Sequence, residues 1–343
     1  MASSTCFPRL MNIPRLPTLH FKSTLQPLSY LSRSSHPRFF SQKATHTPLK
    51  HDIMTGNVWF IAGASNGFGR AIGFEALKRG DKVVATSRNP AKMAELKEAG
   101  ALVMALDVTA DDATIQAAFQ KTIDSYGKIT HCINAAGYIL EASIEEASPK
   151  EIFDIFNTNV LGVMNMTRNI LHHMRPRREG VIANFGSLGS WRGGPAAGYY
   201  ASTKFAMTGF TESLHEEVKE LGITGVIIEP GYFRTGFLNT GGGNRLTAAN
   251  PLTEEYKGTV VEATKARLAS VDNNQPGDVV KGAKVIVDVL TQTGTAKGRD
   301  IPMRIVLGRD AVDVIKGKIA RTETILKEWE DVILSTDHDD VQK

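Results

Sequence analysis

A tyrosine and a lysine four residues apart are the side chains of this sequence best suited to proton transfer. Tyr200 and Lys204 share a face of any helix that spans them, because residues four apart are neighbours on a helix. That face continues through Met207 and Leu214 and is predicted to face the core, where a lysine needs a polar partner or a ligand. A nearby ammonium favours the ionised form of a phenol. We therefore expect Lys204 to lower the pKa of Tyr200, and Tyr200 to exchange a proton with a substrate oxygen.

A glycine-rich turn upstream has the composition of a phosphate-binding site. An apolar run over 57–62 predicts a strand, and the amphipathic segment 67–79 predicts a helix. The turn between them and the start of the helix supply Gly63, Ser65, Gly67, Phe68 and Gly69. Glycines let the main chain approach a pyrophosphate, and the helix N-terminus offers free N–H groups to it. The placement between a strand and a helix favours dinucleotide binding over the alternative, a tight turn without a ligand.

The residues after the second predicted strand bear on which dinucleotide is bound. Strand 82–86 is followed by Ser87 and Arg88, so the sequence has no carboxylate there. A carboxylate would accept the ribose hydroxyls of NAD and repel an added phosphate. A neutral residue followed by a guanidinium suits the 2′-phosphate of NADP(H), which Arg binds bidentately. The sequence favours NADP(H) over NAD(H); the alternative is that Arg88 is a solvated loop residue.

The order of predicted elements indicates a single α/β domain over residues 55–343. Apolar runs predict seven strands, at 57–62, 82–86, 102–106, 130–134, 180–185, 223–228 and 303–307. Amphipathic segments predict helices at 67–79, 91–98, 111–125, 149–174, 198–221, 254–269, 277–291 and 309–333. Apolar strands that alternate with helices are typical of a parallel sheet covered on both faces. The expected architecture is a Rossmann-type, doubly wound, seven-stranded parallel sheet with helices on both faces.

Further motifs follow the glycine-rich turn in order along the chain. They are Asn134-Ala135-Ala136-Gly137, Ser187 thirteen residues before Tyr200, and Pro230-Gly231 followed by Thr235. With the turn and the Tyr/Lys pair, these motifs resemble the short-chain dehydrogenase/reductase family. Ala62 departs from the family's threonine, which removes a hydroxyl but leaves all three glycines. Residues 302–311 resemble the C-terminal strand and turn of the 17-beta-hydroxysteroid-dehydrogenase-like members.

The resemblance implies a role for individual residues. Catalytic roles fall on Asn159, Ser187, Tyr200 and Lys204. Ser187 would hydrogen-bond the substrate oxygen, and the Gly-x-Ser-x-Gly turn of a nucleophilic serine does not surround it. Asn159 would hold a water that relays protons from Lys204; the alternative is an asparagine bonded to its own helix backbone. Cofactor contacts fall on Gly63, Ser65, Gly67, Phe68, Gly69, Ser87, Arg88, Asp107, Val108, Asn134, Ala135, Gly137, Tyr200, Lys204, Pro230, Gly231, Phe233 and Thr235.

The predicted activity is the interconversion of a carbonyl and an alcohol on a hydrophobic small molecule. The cofactor would supply the hydride and Tyr200 the proton. Apolar residues after the strand ends, Trp191, Tyr232, Phe233, Phe237 and Leu238, would line the substrate pocket, or else pack within the 232–253 loop. Alternatives are epimerisation or dehydration, and a non-catalytic dinucleotide-binding scaffold or sensor, although such scaffolds typically lose the Tyr or the Lys. The family resemblance also implies a homodimer or homotetramer through helices 149–174 and 198–221.

The N-terminal residues 1–54 form a predicted flexible leader. Residues 1–50 carry seven Lys or Arg residues and no Asp or Glu. An Arg-rich, Ser-rich and acid-poor segment is typical of an organellar transit peptide. Arg38-Phe39-Phe40-Ser41 resembles a mitochondrial processing site, and the opening Met1-Ala2-Ser3-Ser4 would also suit a plastid. We expect a mitochondrial address; a leader without an address would leave the protein in the cytoplasm.

The composition of the remaining chain argues against several other classes of protein. Without residues 1–50, the 40 basic residues of the chain become 33 against 36 acidic ones, so a nucleic-acid surface is not expected. No apolar run reaches the roughly 18 residues of a membrane-spanning helix. His172 and His173 lack further ligands at metal-binding spacing, and no metal site is predicted.

Overall fold

A seven-stranded parallel sheet forms the centre of the protein. The computed structural model describes residues 56–241 and 244–338, and the predicted leader lies outside the described residues. The strands are β1 Val58–Ala62, β2 Lys82–Ser87, β3 Leu102–Ala105, β4 His131–Asn134, β5 Gly180–Phe185, β6 Ile223–Pro230 and β7 Arg304–Leu307. Their order across the sheet is β7-β6-β5-β4-β1-β2-β3, with every neighbouring pair parallel. The predicted doubly wound sheet is confirmed.

The strand order reverses at β1, and this reversal positions the site. The chain proceeds from β1 outward to β3, then returns to β4 on the other side of β1. In doubly wound sheets, ligands bind in the crevice at the carboxyl ends of the strands at such a reversal. The glycine-rich turn follows β1, and the motif beginning at Asn134 closes β4. Two of the predicted cofactor-binding segments therefore lie next to each other at this crevice.

Helices cover both faces of the sheet, as predicted. They are α1 Gly67–Lys78, α2 Ala94–Glu98, α3 Asp112–Tyr126, α4 Pro149–Phe156, α5 Gly162–Arg177, α6 Gly198–Val218, α7 Val260–Ser270, α8 Val279–Leu290, α9 Arg309–Glu328 and α10 Glu330–Leu334. Side chains alternate across a strand, so Trp59 and Ile61 of β1 enter a core with α1 and α8. Phe60 enters the opposite core with α3, α5 and α6, its ring centroid 4.7 Å from that of Phe119. Burial on both faces explains why the strands are apolar throughout.

Two helices differ from the prediction: the first contains a π-helical turn, and the second begins later than predicted. The helix predicted at 149–174 consists of α4, a π-helical turn over Asn157–Leu161, and α5. Such turns add a residue and often occur at functional sites. The helix predicted at 254–269 begins only at Val260, because Gly258 has a φ of +71° and Thr259 caps the new helix by accepting a hydrogen bond from the Val261 N–H at 3.2 Å.

Two short strand pairs, which the sequence did not predict, order the described part of segment 232–278. Ile139–Glu141, which follows β4, pairs with Arg245–Thr247 of the segment. Within the segment, Phe233–Arg234 pairs with Gly277–Asp278. The first pair is reinforced by a buried ion pair, in which the Arg245 guanidinium lies 2.6 Å from the Glu141 carboxylate. Strands of two or three residues are too short to give a recognisable alternation of apolar and polar residues.

Membrane spans and metal-binding clusters are both absent from the part of the chain that the structure describes. None of the helices within 56–241 and 244–338 is long and apolar enough to cross a bilayer. The same residues contain no group of three or more His, Cys, Asp or Glu side chains that could hold a metal ion.

Candidate active site

The glycine-rich turn is packed too closely for side chains at two of its positions. Gly63 has a φ of +83°, and a Cβ on it would lie 2.5 Å from the backbone nitrogen of Ala136. A Cβ on Gly69 would lie 2.4 Å from the Gly63 carbonyl oxygen. Asn66 caps α1, its side chain accepting from the Gly67 N–H at 2.7 Å. The turn thereby presents the N-terminus of α1, where a phosphate anion is stabilised.

A cleft at the carboxyl edge of the sheet brings together most of the predicted site residues. Its lining includes Gly63, Ser65, Gly67, Phe68, Ser87, Arg88, Asp107, Val108, Ala135, Gly137, Ser187, Tyr200, Lys204, Pro230, Gly231, Phe233 and Thr235. Gly69, Asn134 and Asn159 are buried and do not line the cleft. Contact of these three residues with a bound molecule stays a prediction.

The end of the cleft at β2 carries two cationic side chains. Arg88 and Lys92 are both exposed and both line the cleft. The Ser87 hydroxyl donates to the Asn89 carbonyl at 2.9 Å, which fixes the loop after β2. Asp107, shortly after the neighbouring strand β3, also lines the cleft, and one of its carboxylate oxygens accepts from the Thr109 N–H at 3.0 Å and the Thr109 hydroxyl at 2.8 Å. This end therefore combines two positive charges with the neutral Ser87 and one carboxylate.

Tyr200 and Lys204 lie one turn apart near the start of α6 and face the same cleft. Lys204 is 5 % exposed, and its ammonium donates to the Phe185 carbonyl at the end of β5 at 2.7 Å. Its Nζ is 5.6 Å from the centroid of the Tyr200 ring. The carbonyl supplies the polar partner that a lysine on a core-facing stripe requires. The predicted shared face is confirmed.

Burial controls the protonation of this pair. Desolvation raises the pKa of the Tyr200 phenol to about 12, against which a hydrogen bond with Ser187 acts in the lowering direction. Desolvation likewise lowers the pKa of the Lys204 ammonium to about 8. In the protein by itself the pKa of Tyr200 is therefore raised rather than lowered, and desolvation is the main cause. A lowering of this pKa by Lys204 stays a prediction for the cofactor-bound protein. Tyr200 keeps its proton throughout the neutral pH range.

Ser187 lies two residues after the end of β5 and is held by its own turn. Its hydroxyl accepts from the Gly189 N–H at 3.1 Å, and its backbone N–H donates to the Ser190 hydroxyl at 3.2 Å. The Ser190 hydroxyl in turn donates to the Lys204 carbonyl at 3.1 Å, which joins the turn to α6. Ser187 and Tyr200 lie close together at the cleft wall, since a Cβ on Gly189 would be 3.5 Å from Tyr200 Cε1 and 3.6 Å from Ser187 Oγ. A carbonyl oxygen placed there could accept hydrogen bonds from both.

The Asn159 side chain forms hydrogen bonds with residues of other elements and not with its own helix. Its Oδ1 accepts from the Tyr138 N–H at 3.0 Å, and its Nδ2 donates to the Tyr138 carbonyl at 2.9 Å and the Thr203 hydroxyl at 3.2 Å. A Cβ on Gly137 would lie 3.1 Å from that Oδ1 and 3.9 Å from the Lys204 Nζ. The alternative of an asparagine bonded to its own helix backbone is wrong. The role of Asn159 in proton relay stays a prediction.

Asn134 supports the cleft from behind rather than lining it. Its amide donates to Asn184 Oδ1 at 2.8 Å, and the Asn184 amide donates to the Thr211 hydroxyl at 3.0 Å. Asn134 and Asn184 are 2 % and 0 % exposed. This buried polar ladder joins β4, β5 and α6, so Asn134 positions β4. Its predicted contact with the cofactor stays a prediction.

The cleft also includes residues that the sequence did not reveal. Tyr138, Asn244, Thr264, Leu268 and Gln275 all line it. Most of them come from segment 232–278, whose folding over the sheet depends on strand pairs too short to predict. Of the apolar candidates, Tyr232, Phe233, Phe237 and Leu238 line the cleft. Trp191 does not; its ring packs under the Arg304 guanidinium at 4.6 Å.

Comparison with known proteins defines the class to which this fold and cleft belong. Residues 57–243 match the family described as short chain dehydrogenase. The chain belongs to this family and is an oxidoreductase of it. The predicted family is confirmed, while the finer resemblance to 17-beta-hydroxysteroid-dehydrogenase-like members stays a prediction.

Individual relatives cover most of the described chain. Oxidoreductase BOA17 of Botryotinia fuckeliana is 31% identical over 285 residues, which is 81% of this chain and 98% of the relative. The 3-ketodihydrosphingosine reductase of Bacteroides thetaiotaomicron is 33% identical over 212 residues, which is 62% of this chain and 76% of the relative. The crystal structure of a short-chain dehydrogenase from Streptomyces avermitilis has a TM-score of 0.73 at 32% identity, covering 83% of this chain and all of that one.

Proposed function

We propose that this protein is an NADP(H)-dependent oxidoreductase that interconverts a ketone and a secondary alcohol on a hydrophobic small molecule. The arrangement of Ser187, Tyr200 and Lys204 on one cleft wall is the observation that carries the proposal. The bound dinucleotide would donate or accept the hydride. The protein groups orient the substrate oxygen and manage its proton.

Tyr200 is suited to act as the proton donor in the reduction direction. Because burial raises its pKa to about 12, the phenol is protonated at neutral pH. A general acid must hold its proton until negative charge develops on the substrate oxygen. Ser187 can donate to the same oxygen, and the buried Lys204 ammonium favours the negative charge that the phenol acquires. The protonation state therefore supports ketone reduction at neutral pH.

The preference for NADP(H) rests on the charges at the β2 end of the cleft. Arg88 and Lys92 line this end, and Ser87 stands where a carboxylate would repel a phosphate. The guanidinium of Arg88 can bind a phosphate dianion bidentately, and Lys92 adds a second positive charge. The glycine-rich turn and the N-terminus of α1 would hold the pyrophosphate.

The hydrophobic character of the substrate follows from the opposite end of the cleft. The Phe237 ring packs against the Tyr200 ring, with centroids 5.9 Å apart. Leu238 and Leu268 line the same region. An apolar body bound there would shed water against these side chains while its carbonyl reaches Tyr200.

The full chain provides the test of this proposal. Fluorescence titrations with NADPH and NADH are expected to give tighter binding of NADPH, and a screen of apolar ketones with NADPH is expected to yield turnover. Tyr200→Phe should reduce kcat by at least about a hundredfold while leaving the affinity for NADPH nearly unchanged. An undiminished rate in Tyr200→Phe would exclude Tyr200 as the proton donor. Folded protein that binds neither dinucleotide would favour a non-catalytic scaffold.

We also propose that residues 1–54 direct the protein to mitochondria, as their composition suggests. A fluorescent protein fused behind these residues is expected to enter mitochondria. Delivery to plastids, or a signal spread through the cytoplasm, would overturn the proposal.

A further inference from the structure

Gln275 is a buried polar side chain of the cleft whose hydrogen-bonding capacity is unused. It lies in the loop between α7 and α8 and is 2 % exposed. Its backbone carbonyl accepts from the Arg234 guanidinium at 3.3 Å, which fixes the residue in place. Neither Nε2 nor Oε1 has a hydrogen-bond partner among the described residues. The main chain of Gln275 is therefore held, while its amide has no partner within the described protein.

A buried amide without hydrogen-bond partners lowers the free energy of unfolding unless a bound ligand supplies the partners. A buried polar group that gives up water without gaining a partner destabilises the folded state. Such groups are rare in native proteins, and each calls for an explanation. Gln275 lines the same cleft as Tyr200. The explanation that fits this location is a bound molecule that supplies the missing partner.

Gln275 lies in the part of the cleft that segment 232–278 forms. Thr264 and Leu268 of α7 precede it in the chain and line the same cleft. The loop continues into Gly277–Asp278, which pairs with Phe233–Arg234. These residues come from segment 232–278, whereas the cationic residues Arg88 and Lys92 follow β2. Gln275 thus introduces a neutral donor and acceptor into a mostly apolar region.

We infer that Gln275 binds a hydroxyl group on the substrate at a position remote from the carbonyl that is reduced. A hydroxyl both donates and accepts a hydrogen bond, as does the amide, so one group can satisfy Nε2 and Oε1 together. A neutral amide does not compensate the buried charge of a carboxylate, which makes an uncharged partner the better match. The substrate class is therefore an apolar ketone with a distal hydroxyl. This inference rests on the proposed function.

A site built to hydrogen-bond a substrate group discriminates strongly against an analogue that lacks it. The reason is that the analogue leaves the buried polar group of the protein unpaired. Gln275 is accordingly a specificity residue and not a catalytic one. Its loss should act on the choice between substrates and spare proton transfer by Tyr200.

A matched pair of ligands tests the inference independently of turnover. Cyclohexylcyclohexanone and its analogue with one hydroxyl on the far ring are titrated by calorimetry onto the full chain saturated with NADP⁺. The unchanged protein is expected to bind the hydroxylated ketone at least about tenfold more tightly. Gln275→Leu should bring the two affinities within about twofold. Gln120→Leu, at an exposed site on α3 where the amide bonds Asp124, is the matched control and should keep the preference.

Several outcomes would overturn the inference. Equal affinities in the unchanged protein, or binding of neither ketone, would show that no distal hydroxyl is recognised. A Gln275→Leu variant that loses NADP⁺ affinity to the same extent with or without ketone would assign the amide to the cofactor. Reduction of both ketones without preference would overturn this inference and leave the proposed function intact. Tighter binding of the hydroxylated ketone without reduction of either ketone would support this inference and overturn the proposed function.

Stability in the absence of ligand is a second, separate readout. If the amide is unpaired, Gln275→Leu should leave the midpoint of urea unfolding unchanged or raise it. Asp272, in the same loop, also has a carboxylate oxygen without a partner among the described residues. A marked fall of the midpoint in Gln275→Leu would mean that the amide pairs inside the protein, for example with Asp272, and would overturn the inference.

Discussion

The Asn159 side chain holds both backbone polar groups of Tyr138, accepting from its N–H at 3.0 Å and donating to its carbonyl at 2.9 Å. The side-chain amide thus pairs with the Tyr138 backbone as the backbone of a neighbouring β-strand would. It ties the π-helical turn 157–161 to the loop that follows β4. Gly137 and Tyr138, which line the cleft beside Lys204, are positioned by this contact. The π-helical turn therefore contributes to the shape of the site.

Asn159→Leu removes this contact with little change in volume. The Tyr138 N–H and carbonyl lose their partner, so the free energy of unfolding is expected to fall by about 2 kcal/mol or more. The displaced loop should also lower kcat/KM at least about tenfold. Urea unfolding followed by circular dichroism, together with steady-state kinetics, measures both effects. Asn274→Leu, at an exposed position, is the control. An Asn159→Leu variant as stable and active as the unchanged protein would contradict the positioning role.

The charges after β2 predict how cofactor choice can be changed. Arg88→Ala should weaken NADPH binding roughly ten- to a hundredfold and leave NADH binding nearly unchanged, because only NADPH carries the additional phosphate. Ser87→Asp adds a carboxylate that accepts ribose hydroxyls and repels that phosphate, so it should reverse the preference. Fluorescence titration with both dinucleotides gives the ratios. Lys97→Ala removes an exposed cation outside the cleft lining and should change neither affinity. Equal losses for both dinucleotides in Arg88→Ala would refute the phosphate assignment.

The lowered pKa of Lys204 predicts a dependence of activity on pH. The ammonium loses its proton as the pH rises through about 8, so kcat/KM for ketone reduction should be level below that pH and fall above it. Lys204→Arg keeps a cation at higher pH, and its residual activity should not show this decline. A profile of the unchanged protein that stays level well above pH 8 would mean that the neutral amine suffices.

The contribution of Lys204 to the free energy of unfolding should rise with pH over the range in which the activity falls. Unfolded, Lys204 holds its proton up to about pH 10.5, whereas in the fold it does so only up to about 8. Between these values the unfolded state binds more protons, so the Lys204 contribution to the free energy of unfolding rises with pH. The difference in unfolding free energy between the unchanged protein and Lys204→Met should therefore shift in favour of the unchanged protein over this range. A difference independent of pH would show that the pKa of Lys204 is not lowered.

The glycine-rich turn is packed so closely that the methyl group added by Gly69→Ala is expected to disturb cofactor binding. Gly69→Ala would place a Cβ 2.4 Å from the Gly63 carbonyl, so the turn must move and the affinity for NADPH should fall at least about a hundredfold. Gly209→Ala is the control, because a Cβ at this helical position meets no atom within 4 Å. The control should bind NADPH normally and gain up to about 1 kcal/mol of stability. Normal NADPH binding in Gly69→Ala would show that the close approach is not required.

The regular part of the fold and the residues of the reacting centre could be predicted from the sequence. Continuous apolar runs identified all seven strands, and the spacing of Tyr200 and Lys204 predicted their shared face. Segment 232–278 could not be predicted in the same way. Its position depends on contacts between residues far apart in sequence, such as the ion pair of Glu141 with Arg245. The protonation of Tyr200 depends on the depth of burial, which spacing does not reveal.

The residues assigned to the reaction and the residues assigned to substrate selectivity lie in different parts of the chain. Ser187 lies in the turn after β5, and Tyr200 and Lys204 belong to a helix packed on the sheet. Leu268 and Gln275 belong to segment 232–278, which pairs with Ile139–Glu141 through one short strand and closes on itself through another pair. Changes in the second group leave the framework of the first intact. During divergence of related genes, new substrates can thus be acquired by revising one contiguous stretch of coding sequence while the reaction itself is retained.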